Sequence, residues 1–282
     1  MDNKVSNNPN QRAPQVKPQA HQPVPQPAAP PKPKFPTEIV DLPSKGLLYP
    51  SDNPLASGKI EMKYMTAKEE DILTNQNYIR QGVVVDKLLE SLIVSDINYD
   101  DVLIGDKNAV LIASRILGYG QMYKFDYAGE KHEVDLTKLE NQEIDENLIT
   151  PNINQFDFTL PHSGNKITFK ILSHGDEKKI EQELKGLKKI NKNASPEMSL
   201  RYKHMITSIN GDDNKGAIRE FVDNMFLARD SKAFRDYMKK VSPDIILKFW
   251  REDWEGNDVE ERLPIGANFF FPDADWGIWI QT

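Results

Sequence analysis

Histidines and cysteines are the residues to consider first, because they supply many of the metal ligands, nucleophiles and proton-transfer groups of proteins. The chain of 282 residues has no cysteine, which excludes disulfides, thiolate zinc ligands and cysteine nucleophiles. Its histidines are His21, His132, His162, His174 and His204. No two of them are three or four residues apart, and none lies in an HExxH pattern, so their spacing predicts no metal centre.

Other catalytic and cofactor-binding patterns are missing from the sequence as well. It contains no GxSxG, no GxxxxGK[ST] and no GxGxxG pattern. Asp96, Asp100, Asp101 and Asp106 stand close together, but they lack the ligand spacing, the central Gly and the terminal Glu of a calcium loop. Helix caps explain these acidic residues better. We therefore expect no enzyme, no catalytic residues, no cofactor and no bound metal.

The charge and hydropathy of the chain limit its partners. The net charge of −7 argues against general nucleic-acid binding, which needs clustered Lys and Arg on the protein surface. Apolar runs reach only about five residues, far short of the roughly 20 that span a bilayer. The amino terminus is polar and lacks the apolar core of a signal peptide. The sequence predicts a soluble, intracellularly made protein without a nucleic-acid or membrane partner.

Residues 1–36 are rich in proline, and we expect them to form a disordered tail. Ten of the 19 prolines lie there and large apolar side chains are almost absent, so burial cannot offset the entropy cost of ordering. The charged side chains of the tail sum to +4 (Lys4, Arg12, Lys17, Lys32 and Lys34 against Asp2). Pro30, Pro33 and Pro36 have the PxxP spacing of a polyproline ligand, but we favour a solvated tether.

A patterned segment follows the tail, from Leu42 to Leu73. It starts with LPSKG, a combination of Pro, Gly and small polar residues that is typical of a turn. Residues 58–65 alternate between apolar and charged side chains, which predicts a half-buried strand. Thr66 and Glu69 then have the spacing of a capping box at a helix start.

The order of these motifs, LPSKG, LYP, a Pro-rich turn, KYMT and AKEEDIL, resembles the baseplate hub and hub-assembly proteins of T-even-like contractile-tail bacteriophages. The resemblance covers roughly residues 37–127 well and the remainder loosely. It implies a structural or assembly component of a tail baseplate hub that acts without catalysis. Its partners would be other hub or tail proteins in the host cytoplasm during assembly. The resemblance leaves two roles open: a permanent hub subunit that stays in the virion tail baseplate, or an assembly chaperone that leaves.

Three stretches read as β-hairpins. Residues 156–171 alternate on both sides of a His-Ser-Gly-Asn turn, and residues 122–136 and 250–263 each place aromatic residues before a Gly turn. Residues 126–136 align without gaps on 253–263, sharing the Gly, a Glu and a Leu. This alignment predicts two hairpins built on one scheme.

Apolar stripes at helical spacing predict helices over 84–93, 109–117, 175–190, 196–209, 215–227 and 231–241. Helices and hairpins together predict an α+β fold. We expect a strand-and-helix domain over 37–148 that ends in a hairpin. A second domain of hairpins and a helical bundle would occupy 149–282.

The carboxyl-terminal residues are dense in aromatic side chains. We consider two interpretations: an exposed patch that binds a partner, or a hook that folds back and covers the core. The first predicts these partner-binding residues: Phe269, Phe270, Phe271, Trp276 and Trp279.

Two further functions are alternatives to the baseplate role. One is a hub-associated cell-wall-degrading enzyme, for which the sequence offers no positioned acid or metal site. The other is an adaptor recruited through its proline-rich tail. The sequence sets neither the oligomeric state nor the identity of the partners.

Overall fold

The computed structural model of the chain describes Met1, residues 36–190 and residues 196–270, the side chains of Ala267 and Asn268 excepted. Within these limits α-helices occur together with small antiparallel sheets, which confirms the predicted α+β class. The predicted tail lies outside the described residues, except for Met1 and Pro36 at its two ends.

The α-helices, in chain order, are α1 (Ala67–Leu73), α2 (Gln76–Gln81), α3 (Val84–Leu92), α4 (Ile104–Tyr119), α5 (His174–Ile190), α6 (Glu197–Met205), α7 (Lys215–Glu220), α8 (Ala228–Val241) and α9 (Ala267–Phe270). The strands are β1 (Thr37–Asp41), β2 (Lys59–Lys63), β3 (Met122–Tyr127), β4 (Glu130–Asp135), β5 (Phe156–Thr159), β6 (Lys166–Phe169), β7 (Ile206–Ile209), β8 (Lys248–Glu252) and β9 (Asp258–Arg262). All strand pairs are antiparallel and form the sheets β1–β2, β3–β4, β5–β6–β7 and β8–β9.

The predicted hairpins are confirmed as β3–β4, β5–β6 and β8–β9. The predicted strand near residue 60 is β2, whose Ile60 and Met62 side chains are fully buried. Its partner is β1, with Val40 opposite Ile60. The period-two pattern therefore located β2 and the three hairpins correctly, whereas β1 carried no prediction.

Strand β7 differs from the helix predicted over 196–209. The helix ends at Met205, and Ile206–Ile209 pairs with β6 as the third strand of its sheet, with Ile209 opposite Ile167. Ile and Thr are β-branched and favour strands, and β6 offers an unpaired edge to them. The apolar spacing of residues 206–209 fits a helix as well as a strand, so the pairing with β6 decides that they form a strand.

The helix predicted over 215–227 is also shorter than expected. Helix α7 ends at Glu220, and Phe221–Met225 continues as a π-helical turn. This wider turn packs the Phe221 ring against the Phe226 ring, with centroids 5.3 Å apart. Helix α8 then begins at Ala228, before the predicted start at 231.

One apolar core draws on both halves of the described chain. Leu88 from α3 and Phe234 from α8 are fully buried members of the same cluster. The backbone N–H of His174 donates to the carbonyl oxygen of Val102 across the halves (2.8 Å). The described residues from 36 to 270 belong to one compact unit, and the boundary expected between 148 and 149 lies inside it.

Candidate functional site

The segment Leu42–Leu73 is held to the first turn of α4 by a buried polar network. The N–H of Ser44 donates to one carboxylate oxygen of Asp106 (2.9 Å), and the Tyr49 hydroxyl donates to the other (2.6 Å). The Tyr49 oxygen accepts in turn from the N–H of Leu103 (2.9 Å). Ser44 and Asp106 are fully buried. Residues of the sequence motif therefore fix the segment on the body of the protein.

Burial controls the protonation of this network. It raises the pKa of Asp106, because the carboxylate loses solvation, and the hydrogen bonds from Tyr49 and Ser44 offset this only in part. Burial and the neighbouring Asp106 also raise the pKa of Tyr49. A carboxyl group so enclosed holds the segment in place and is not accessible to a substrate.

Gly46 is required by the same turn. Its backbone has φ +78°, in the left-handed region that favours glycine. A Cβ there would lie 2.3 Å from the carbonyl oxygen of Ala56. The Gly of the LPSKG motif thus has a steric cause.

Glu69, in the first turn of α1, is a second buried carboxylate. It accepts from the N–H and the hydroxyl of Thr66 (3.0 and 2.6 Å), which confirms the predicted capping interaction. Ser91 and Lys63 also donate to it, each at 2.8 Å. Burial by itself would raise the pKa of Glu69, but the bonds from Lys63, Thr66 and Ser91 outweigh it and lower the pKa to about 2. Glu69 is therefore an ionised structural group.

His174, at the start of α5, is the centre of a cluster of charged residues. The Lys107 ammonium donates to its Nδ1 (3.2 Å) and pairs with Asp86 (2.6 Å). Its Nε2 lies 4.0 Å from a carboxylate oxygen of Asp100, and its ring packs on Tyr99 with centroids 4.5 Å apart. Burial lowers the pKa of His174 and the charge of Lys107 lowers it further, while Asp86 and Asp100 oppose the shift. The neutral imidazole suits its role as acceptor from Lys107.

The other histidines are not grouped around a metal position. His132 packs on an aromatic ring, His204 pairs with Glu183 (3.1 Å) and His162 is exposed. His21 lies outside the described residues. Over residues 36–190 and 196–270, no group of three or more His, Asp and Glu side chains could hold a metal ion.

The structure separates the aromatic residues that we expected to bind a partner. Phe269 and Phe270 are buried, with 0% and 4% exposure, and the Phe269 ring meets the Tyr123 ring edge-on (5.0 Å). These two follow the second interpretation, a chain end that covers the core, and they form no exposed patch. The remaining predicted residues lie outside the described part of the chain: Phe271, Trp276 and Trp279.

Two tryptophans that the sequence did not single out are exposed on the β8–β9 hairpin. Trp250 on β8 is 66% exposed and Trp254 in the following turn is 90% exposed. Neighbouring Phe249 is buried, and its ring meets the Phe125 ring of β3 edge-on (4.9 Å). Because side chains alternate along a strand, Trp250 faces away from this contact. We call the solvent-facing side of β8–β9, including the turn, the tryptophan face.

The alignment of the two hairpins explains why these residues were missed. It places Trp250 at the position of Tyr123, which is buried, but the structure buries Phe249 instead. A shift of one residue exchanges the two faces of a strand, so the aligned residues face opposite ways. The only sequence signal for exposed Trp250 is that its neighbours on the same face, Lys248 and Glu252, are charged.

Comparisons with protein-family models, with characterised proteins and with solved structures find no match for this chain. Among the residues that the structure describes, no helix is long and apolar enough to cross a membrane.

Proposed function

We propose that this chain is a structural or assembly component of the tail baseplate hub of a contractile-tail bacteriophage, acting through protein–protein contacts. The resemblance in the segment Leu42–Leu73 supports the assignment to the hub. The observation that carries the contact role is the exposure of Trp250 and Trp254 on one hairpin.

Exposed tryptophans support a contact role because their burial by a partner is strongly favourable. A fully buried ring removes roughly 150–250 Å² from water, a gain on the order of 4 kcal/mol. Tryptophan is also enriched among the residues that dominate binding energy in protein interfaces. Within the described chain Trp250 keeps 66% and Trp254 90% of its surface exposed, so most of this burial is left for a partner.

The test is whether the protein accompanies tail proteins during infection. A tagged copy is expressed in infected cells, and mass spectrometry identifies what co-purifies with it and whether it is present in purified tails. If the chain is a permanent subunit, baseplate proteins co-purify with it and the chain is also present in purified tails. If it is an assembly chaperone, baseplate proteins co-purify with it but the chain is absent from purified tails. The proposal would be overturned if no baseplate protein co-purified with the tagged chain and the chain were absent from purified tails.

A variant pair links the result to the surface. We expect the double variant W250A/W254A to recover less baseplate protein than the wild type does. Replacement of an exposed apolar residue elsewhere, Ile190→Ala, is the control and leaves recovery unchanged, since Ile190 is 86% exposed but distant in sequence from the hairpin.

A further inference from the structure

The tryptophan face has an unusual arrangement of charges. Along β8–β9, Lys248 is directly opposite Arg262, and Glu252 is directly opposite Asp258. Like charges at directly opposed positions destabilise an antiparallel pair. Trp250 lies between the two like-charged pairs. On this face the hairpin therefore has two cations at its base and two carboxylates at its tip, with Glu260 opposite Trp250 between them.

The other aromatic hairpin shows the ordinary arrangement and serves as an internal comparison. On the outer face of β3–β4, Lys124 is opposite Glu133, with Nζ 3.5 Å from the carboxylate, and Asp126 is opposite Lys131. Opposite charges at opposed positions support a strand pair. Only one of these two hairpins thus carries unfavourable charge pairs on its solvent side.

The carboxylates at the negative tip of the tryptophan face have no ion-pair partner among the described residues. The neighbouring guanidinium of Arg251 donates to the backbone carbonyl oxygen of Glu252 (3.2 Å) and pairs with Glu261 (2.9 Å), so it does not neutralise them. Glu252 and Asp258 are exposed, and neither forms an ion pair with a described residue, whereas Glu260 is paired with Lys248. Trp250 precedes Glu252 by two residues on the same face of β8, and Trp254 follows it by two in the turn, so exposed aromatic residues flank Glu252 on both sides along the chain. An external cation would relieve the repulsion and meet an aromatic ring at the same place.

We propose that the tryptophan face binds a positively charged segment of a partner protein, with an arginine or lysine of the partner placed between Trp250, Trp254 and the carboxylates of Glu252 and Asp258. An aromatic ring attracts a cation over its face, and a guanidinium can stack on a ring while it donates to a carboxylate. A nucleic acid fits poorly, because its phosphates would meet the carboxylates. This inference rests on the proposed contact role and specifies the chemistry of the partner.

The probe is a short capped peptide in which arginine alternates with alanine, labelled with a fluorophore. Its fluorescence anisotropy is followed as the full-length protein is added. We expect saturable binding that weakens with added salt, since exposed charges are screened. The same peptide with glutamine in place of arginine is expected to bind at least about fivefold more weakly, the scale of one cation–π contact.

Variants locate the binding. We expect W254A, and separately E252Q/D258N, to weaken peptide binding about fivefold or more, as loss of one cation–π or ionic contact implies. The matched control D126N/E133Q removes two acidic groups from the β3–β4 hairpin and leaves binding unchanged. W254F, which keeps a ring, retains more binding than W254A. Unchanged circular dichroism spectra establish that each variant is folded.

Three outcomes would overturn this inference: no saturable binding of the arginine peptide, equal binding of the glutamine peptide, or equal loss in the β3–β4 control. The third would mean that only overall negative charge attracts the peptide. If baseplate proteins still co-purify with the chain while these outcomes occur, the proposed function stands and only the partner chemistry is rejected.

Discussion

Buried polar side chains, in addition to the apolar core, hold the segment Leu42–Leu73 in position. Asp106 satisfies a backbone N–H in the LPSKG turn and the hydroxyl of Tyr49, while Tyr49 satisfies a backbone N–H at the start of α4. Each partner would be left unsatisfied in a buried site if the other were removed, which is more costly than loss of an exposed hydrogen bond. The motif residues therefore act as connectors between segments far apart in sequence.

Tyr49→Phe tests this connection. It removes the hydroxyl that Asp106 and the N–H of Leu103 both use, and we expect a loss of about 1–3 kcal/mol in the free energy of unfolding. Urea denaturation measures it. The matched control is Tyr64→Phe, which removes a hydroxyl that donates to exposed Glu38 (2.9 Å), and we expect little change. Similar losses in the two variants would contradict the role of the buried network.

His174 makes stability depend on pH. Burial and the nearby Lys107 lower its pKa in the folded chain. Below the ordinary histidine pKa of about 6.5, the unfolded chain takes up a proton at this site more readily than the folded chain, so stability falls as pH falls. We expect His174→Gln to remove this contribution. The difference in free energy of unfolding between wild type and variant then shrinks from pH 7.5 to pH 5, measured by urea denaturation in matched buffers. A constant difference over that range would refute the prediction.

At the scale of elements, close packing places demands that helical periodicity does not reveal. Gly105, in the first turn of α4, faces the chain just after α8, and a Cβ there would lie 1.7 Å from the carbonyl oxygen of Pro243. Gly186, within α5, would meet nothing within 4 Å. Close packing therefore requires glycine at position 105, whereas it places no such requirement on position 186.

Replacement by alanine should therefore affect stability in opposite directions at these two positions. We expect Gly105→Ala to destabilise the protein by several kcal/mol, because backbone must move to admit the methyl group. Gly186→Ala should stabilise it by up to about 1 kcal/mol, since alanine favours the helix over glycine. Thermal unfolding followed by circular dichroism gives both values. A neutral Gly105→Ala would show that α4 and residue 243 are not in close contact.

The hairpins show how far a pattern can predict an element and its orientation. Turn residues and alternation predicted β3–β4 and β8–β9, because both signals are local. They did not predict which face of β8 is buried, since Phe249 and Trp250 are adjacent and both aromatic. Contact with the Phe125 ring of β3 decides this. The strand β7 was missed for the same reason, since its pairing partner β6 is distant in sequence.

At the scale of the whole molecule, residues 36–270 depend on contacts between their two halves. Backbone groups of α4 and of the segment before α5 bond to each other, with Ile104 N–H donating to Leu172 (3.1 Å). The Tyr123 hydroxyl of the first half donates to the carbonyl oxygen of Pro264 (2.8 Å). A sequence boundary drawn from composition cannot register such contacts.

Separate expression of the halves tests this dependence. We expect a fragment of residues 37–148 to lack a cooperative unfolding transition, because it would expose Tyr123, Phe125 and Leu136, which the intact chain buries. The full chain should show one transition by circular dichroism and by tryptophan fluorescence. A sharp transition in the isolated fragment would restore the two-domain interpretation.

The sequence by itself determined the α+β class, the hairpins, most helices and the capping interaction of Thr66 with Glu69, because these depend on neighbours close in the chain. Tertiary structure decided the burial of Phe269 and Phe270, the exposure of Trp250 and the single compact unit. Each of these depends on which distant surface a side chain meets. The buried and exposed faces of β8 differ by one residue along the strand, and the contact of Phe249 with the ring of Phe125, in a hairpin distant in the chain, decides which face is buried.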